Sequence, residues 1–167
     1  MRSIRCTRHN TINLISVSKS KQGSIQDRQG KLYTVLIDDE NETYPIFRIM
    51  HKQAGIGYAN CRIYGKTLEL SDFCIKDKAL HPSYFSFLPR KWRERNYRHR
   101  GIGSAFLRYL VSFAKERGIE QIQGYIKRAD FSHRPWLPKW YEGRGFEIRK
   151  EPAKSGRIAT ILMQITK

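Results

Sequence analysis

The chain has 167 residues, 40 % of them hydrophobic and 12 % aromatic, which is enough to bury a core without disulfide staples and excludes a disordered chain. Lys and Arg number 32 against 15 Asp and Glu, a formal net charge of +17 that attracts phosphates, nucleic acid or polyanionic cofactors. The basic N-terminus has its apolar run broken by Asn13 and Ser16, and no stretch approaches the ~18 apolar residues of a membrane span, so a cytoplasmic protein with no membrane partner is expected, as one domain over residues 1–167.

Taken in chain order, the first half reads as strands. "TINLISVSK" (11–19) and "KLYTVLIDD" (31–39) are short β-rich runs with a Gly/Ser/Gln connection between them. "YPIFRIMHK" (44–52) alternates, and 55–65 with 66–76 make a hairpin turning near Gly65-Lys66. In the last of these strands strict alternation puts Leu68, Leu70, Asp72 and Cys74 on one face and Glu69, Ser71, Phe73 and Ile75 on the other. Residues 77–97 carry two prolines, an aromatic cluster and then basic residues, and read as an irregular excursion.

A helix follows from about Ile102 to Arg117, with Phe106, Leu107, Leu110, Val111 and Ala114 at helical spacing and Gly118 as its stop. Residues 119–127 are a strand, 134–145 a short helix with prolines at its opening, and "FEIRKE" and "RIATILMQITK" two closing strands. The unit at 66–127 has βαβ form, and with its neighbours predicts an α/β sheet of mixed direction flanked by helices.

The stretch "RHRGIG" (98–103) stands at the opening of the long helix, where unpaired N–H groups and the positive dipole end favour an anion. Glycines there let the backbone approach a phosphate. The dinucleotide fingerprint GxGxxG fails, because Phe106 stands where the third glycine belongs. "GKT" at 65–67 lacks the first glycine of a Walker A loop, a position occupied by Asn60.

The pattern [R/Q]xxGxG is met in full by Arg98, Gly101 and Gly103, and "WYEGRGFEI" follows some forty residues on. Together they resemble the GNAT superfamily of acyl-CoA-dependent N-acetyltransferases, the first as its pyrophosphate loop, the second as its helical tyrosine and following Gly-Phe strand. The resemblance covers residues 55 to 150. It implies a mixed, mostly antiparallel sheet and acetyl-CoA as donor, with direct transfer to a primary amine of a small molecule or protein. Pantetheine would lie along Phe73, Cys74 and Ile75, and the diphosphate on Arg98, His99, Arg100, Gly101, Ile102, Gly103 and Ser104. Tyr141 matches the position that serves the departing thiolate, and a backbone N–H near Ile75 would stabilise the carbonyl oxygen.

For the base, Glu69 and Asp72 flank the thioester strand on opposite faces. Glu69 has the alternative reading of a solvated strand charge, and Asp72 that of a structural carboxylate paired with an arginine. Direct transfer leaves the cysteines without a catalytic part, and the five histidines, scattered without HExxH spacing, predict no metal.

Two features depart from the family. Some twenty residues separate the thioester strand from the glycine loop, and Asp130-Phe131-Ser132-His133 stands where many members carry an asparagine. The rival functions rest on charge: six of the eleven residues from Arg90 to Arg100 are Lys or Arg, with Trp92 and Tyr97 interleaved. That composition suits nucleic acid, either through an RNA-linked amine as acceptor (aminoacyl-tRNA, as toxin-like members use) or through a non-enzymatic binding module of this shape. Dimers are common in such folds, and a homodimer is a further expectation.

Overall fold

The computed structural model describes residues 21–38, 41–82, 92–97, 99–152 and 156–166. The strand expected at 11–19 and the loop arginine Arg98 lie outside them. Among the described residues, ten strands and three helices follow in the order β1 (Lys21–Gln26), β2 (Leu32–Asp38), β3 (Ile46–His51), β4 (Ala54–Tyr64), β5 (Thr67–Ile75), β6 (Lys78–Pro82), β7 (Trp92–Asn96), α1 (Ile102–Glu116), β8 (Gln121–Lys127), α2 (Arg128–His133), α3 (Leu137–Glu142), β9 (Glu147–Lys150) and β10 (Arg157–Gln164). Eight strands form one sheet in the order β1-β2-β3-β4-β5-β8-β10-β9. Every pairing in it is antiparallel except β5 with β8, which is the parallel seam of the βαβ unit. The mixed sheet with flanking helices is the expected fold class.

Three readings of local structure need correction. The Gly/Ser/Gln connection contains a strand, β1, whose only buried side chain is Ile25; antiparallel pairing with β2 holds it, not hydrophobic alternation. The excursion at 77–97 contains a two-stranded ribbon, β6 with β7, off the main sheet. Residues 128–133 form α2, a helix with no buried side chain and therefore no apolar period to read.

Helix α1 crosses the sheet. Ile102, Ala105, Phe106, Leu107, Leu110, Phe113 and Ala114 are its buried positions, an apolar stripe at i, i+3, i+4 spacing. They meet Val35, Ile37, Phe47, Ile49, Ala59, Leu68 and Leu70 in one core. Phe113 stands edge-on to Phe47 at 4.8 Å, so the helix register is fixed from the middle of the sheet. Gly118 closes the helix in the left-handed conformation (φ 66°), its N–H donating to the Lys115 carbonyl at 3.0 Å.

The β1–β2 turn is built on Asp27, a carboxylate only 7 % exposed. The N–H groups of Gln29 and Lys31 donate to its Oδ1, each at 2.9 Å, and the Tyr33 hydroxyl donates to its Oδ2 at 2.8 Å. Burial pushes this carboxyl's pKa up, but the Lys31 N–H, the Tyr33 hydroxyl, the Gln29 N–H and the charge of Arg100 together hold it below the ordinary 3.8. A depressed carboxylate stabilises the fold above its unfolded pKa, and the contribution fades as pH falls through the folded one. Asp27→Ala is expected to cost about 1–3 kcal/mol. Thermal melts would show this as a gap from the parent protein at pH 7 that narrows below about pH 4.

Candidate active site

Strands β5 and β8 pair over only four positions, from Thr67 with Gln121 to Leu70 with Gly124, and then fork. A register shift in the β4–β5 pairing sits where the fork begins: Asn60 faces Asp72, but Cys61 faces Leu70, leaving Ser71 as the extra residue of a β-bulge. The bulge resets the alternation. Leu68 and Leu70 share a face with Phe73 and Ile75, while Glu69, Asp72 and Cys74 share the opposite face with Arg62, Asn60 and Tyr58. The expectation that Asp72 lies among Leu68 and Leu70, and that Glu69 and Asp72 point to opposite faces, is therefore corrected. A strict period of two cannot survive an inserted residue. Asp72 is exposed and accepts a hydrogen bond from the Tyr58 hydroxyl at 2.9 Å.

Beyond the bulge, the Lys76 N–H donates to the Ile56 carbonyl at 2.8 Å. Antiparallel ladders alternate, so residues 76, 74 and 72 turn their backbone groups to β4, and Ile75 and Phe73 turn theirs toward the fork. The Phe73 ring stacks on Phe106 of α1 at 5.3 Å, which fixes this strand segment against the helix that closes the fork.

The glycine loop lies at the mouth of the fork. Gly101 is in the left-handed conformation (φ 80°) and is the N-cap residue of α1, with no side chain capping the helix. The first intrahelical bond runs from the Ala105 N–H to the Gly101 carbonyl at 3.0 Å, so the N–H groups of Ile102, Gly103 and Ser104 precede it and have no intrahelical acceptor. With no acidic residue in its first turn, this helix end has a dipole and donors that favour an anion. The β1–β2 turn braces the loop from behind: the Arg28 N–H donates to the Arg100 carbonyl at 3.0 Å. Behind it the buried Tyr97 hydroxyl and His51 Nδ1 share a hydrogen bond of 2.7 Å.

Fork and loop line one cleft of about 740 Å³. Its far wall is α3 with the segment that follows. Tyr141 is 6 % exposed, packed edge-on against Trp140 at 4.9 Å and Phe146 at 5.3 Å. Its ring is held on two sides, yet no described residue bonds its hydroxyl. Burial, and then the negative charges of Asp130 and Asp72, push the phenol pKa far above its ordinary value of 10. The group stays protonated through the whole physiological range and beyond.

Of the residues singled out from the sequence, the cleft brings together Asp72, Phe73, Ile75, His99, Arg100, Gly101, Ile102, Gly103, Ser104 and Tyr141. Glu69 and Cys74 are not among its lining residues. The structure adds Asp130 near the hydroxyl, and two arginines that no motif marked. Arg28 comes from the β1–β2 turn. Arg144 donates to Ser104 Oγ at 3.1 and 2.6 Å and stacks over the Trp140 ring at 3.9 Å. Only the "GRG" between Tyr141 and Phe146 hinted at a basic residue close to this wall.

No curated protein matches the chain in sequence. Solved structures do match in fold. The ribosomal-protein-S18-alanine N-acetyltransferase from Escherichia coli is 18 % identical, with a TM-score of 0.52 over 77 % of this chain and 73 % of that one. An acetyltransferase of the GNAT family from Staphylococcus aureus MU50 is 14 % identical, with a TM-score of 0.53 over 75 % and 71 %. The IAA acetyltransferase from Bacillus cereus is 16 % identical, with a TM-score of 0.50 over 74 % and 79 %. At such identities these likenesses establish the fold. The family model of the acetyltransferase (GNAT) family matches residues 13–132, well over half of the chain and including the fork and glycine loop, and on that match the chain belongs to the GNAT family.

Proposed function

We propose that this protein is an acetyl-CoA-dependent N-acetyltransferase that passes the acetyl group directly to a primary amine of a small molecule or protein. The observation that carries this reading is the continuity of one cleft. Outward-turned backbone at Phe73 and Ile75 leads to the helix N-terminus at Gly101, with the buried hydroxyl of Tyr141 in the wall between. A pantetheine arm is a chain of amides, which fits a strand edge left open by a fork, and a diphosphate fits the donors of the α1 end. The donor supplies an acetyl thioester.

Each group of the chain then has a definite part. The N–H groups of Ile102, Gly103 and Ser104 hold the diphosphate and set the register of the arm. The Ile75 N–H faces the acetyl carbonyl and stabilises negative charge as the amine nitrogen bonds to carbon. Asp72 accepts the proton the amine must lose, directly or through water; Tyr58 holds its carboxylate in place. As the C–S bond breaks, sulfur takes the electron pair, and Tyr141 donates a hydrogen bond to it. A phenol with a pKa pushed far above 10 is a poor acid toward a thiol near 8.5. Tyr141 therefore stabilises the thiolate and does not surrender its proton outright.

Calorimetry with acetyl-CoA tests the donor site, for which micromolar binding is expected; no binding at millimolar donor would remove the reading. The pH profile tests the roles. kcat/KM is expected to rise as the acceptor amine loses its proton, and then to hold level to about pH 10, because the Tyr141 phenol keeps its proton. A fall near pH 8–9 that disappears in Tyr141→Phe would contradict that assignment. Asp72→Asn is expected to lower kcat/KM about ten-fold or more near neutral pH, and less at high pH, where the amine is already neutral.

A further inference from the structure

A second cavity, of about 700 Å³, adjoins the glycine loop on the outer side of α1 and shares Arg28, Gly101, Ser104 and Arg144 with the first. Arg108 and Lys115 complete a basic lining. Ser104 and Arg108 are four residues apart, so they share a helix face one turn, about 5.4 Å, from each other. Arg144 is fixed by Ser104 Oγ, by the Trp140 carbonyl at 2.5 Å and by the Trp140 ring. Among the described residues Asp27 is the single carboxylate lining this cavity, and its oxygens already accept three bonds, from Gln29, Lys31 and Tyr33. Among the described residues no carboxylate pairs with Arg28, Arg108 or Arg144.

We propose that Arg28, Arg108 and Arg144 form a phosphomonoester subsite that reads the ribose 3′-phosphate of the donor. The inference rests on the acetyl-CoA reading above. A diphosphate seated on the first-turn N–H groups of α1 leaves the adjoining ribose phosphate within about one helical turn, beside the cavity that the three arginines line. Guanidinium forks match phosphate oxygens two at a time, and a dianion supplies the charge that this cluster lacks. Burial and then the nearby charges of Arg28 and Arg108 draw the Arg144 pKa below its ordinary value, as expected where cations are held together without a counter-anion.

Binding of acetyl-CoA and of acetyl-dephospho-CoA, which lacks only the 3′-phosphate, is compared by calorimetry for the parent protein and for Arg108→Ala. Arg108 is exposed and makes no described hydrogen bond, so its removal leaves the loop brace and the Ser104 contacts in place. The parent is expected to bind acetyl-CoA at least about ten-fold more tightly than the dephospho form. Arg108→Ala should lose most of that preference, with the dephospho affinity changed by less than about two-fold. Equal binding of the two donors by the parent overturns the subsite and leaves the donor reading standing. Equal weakening of both donors by Arg108→Ala also overturns it. Binding of neither donor by the parent overturns the donor reading itself, and this inference with it.

Discussion

Tyr141→Phe is expected to lower kcat by ten-fold or more, about 1.4 kcal/mol or more of transition-state stabilisation, while leaving the acetyl-CoA dissociation constant unchanged. The same variant should melt at an equal or higher temperature. Its ring contacts with Trp140 and Phe146 survive the substitution. The hydroxyl is buried without a described partner, an arrangement that costs stability and that phenylalanine removes. A structural tyrosine would give the opposite pair of results, with turnover kept and the melting temperature lowered. Single-turnover rates, donor titration and a thermal melt on one preparation decide between them. Unchanged turnover with intact donor binding would sink the catalytic assignment.

Gly101→Ala carries the second large effect. The residue sits at φ 80°, where an L side chain costs about 1–2 kcal/mol, and an added Cβ would lie 2.7 Å from the Arg28 Cγ. The clash is relieved by swinging the Arg28 side chain away or by moving the loop, and the positive φ itself favours a loop shift that displaces the first-turn N–H groups. Donor affinity should fall about ten-fold together with a lower melting temperature. Gly118→Ala is the matched control: its φ of 66° imposes a similar backbone cost, but nothing lies within 4 Å of the added carbon and the site is at the other end of α1. It should melt lower and bind the donor normally. An unchanged donor dissociation constant in Gly101→Ala would show that the loop does not hold the diphosphate.

What was legible in the sequence was whatever the backbone encodes locally. The glycine motif is a contiguous run of six residues, and the apolar stripe of α1 follows at once, so both could be read directly. The tyrosine wall was legible through its spacing from Gly145 and Phe146. The face of Asp72 was not, because one extra residue at Ser71 inverts every later side chain, and no residue type announces such a bulge. Nor was the basic cluster. Arg28, Arg108 and Arg144 lie in a turn, a helix and a post-helical loop, and only the tertiary fold brings them to one cavity. Strand β1 and helix α2 were missed for a simpler reason: with one buried side chain and none, they carry no hydrophobic pattern to detect.

The fork has a mechanical consequence. Four register pairs are the whole ladder between the β1–β5 leaf and the β8–β10–β9 leaf, so on the sheet side the two leaves meet at a short hinge, with α1 packed across it. A donor whose amides take up the outward-turned groups of Phe73 and Ile75 would act as a splint, lengthening a seam that the chain itself leaves short. Binding should then slow hydrogen exchange at those two amides, and damp opening of one leaf against the other, far more than it alters strands β2 and β3.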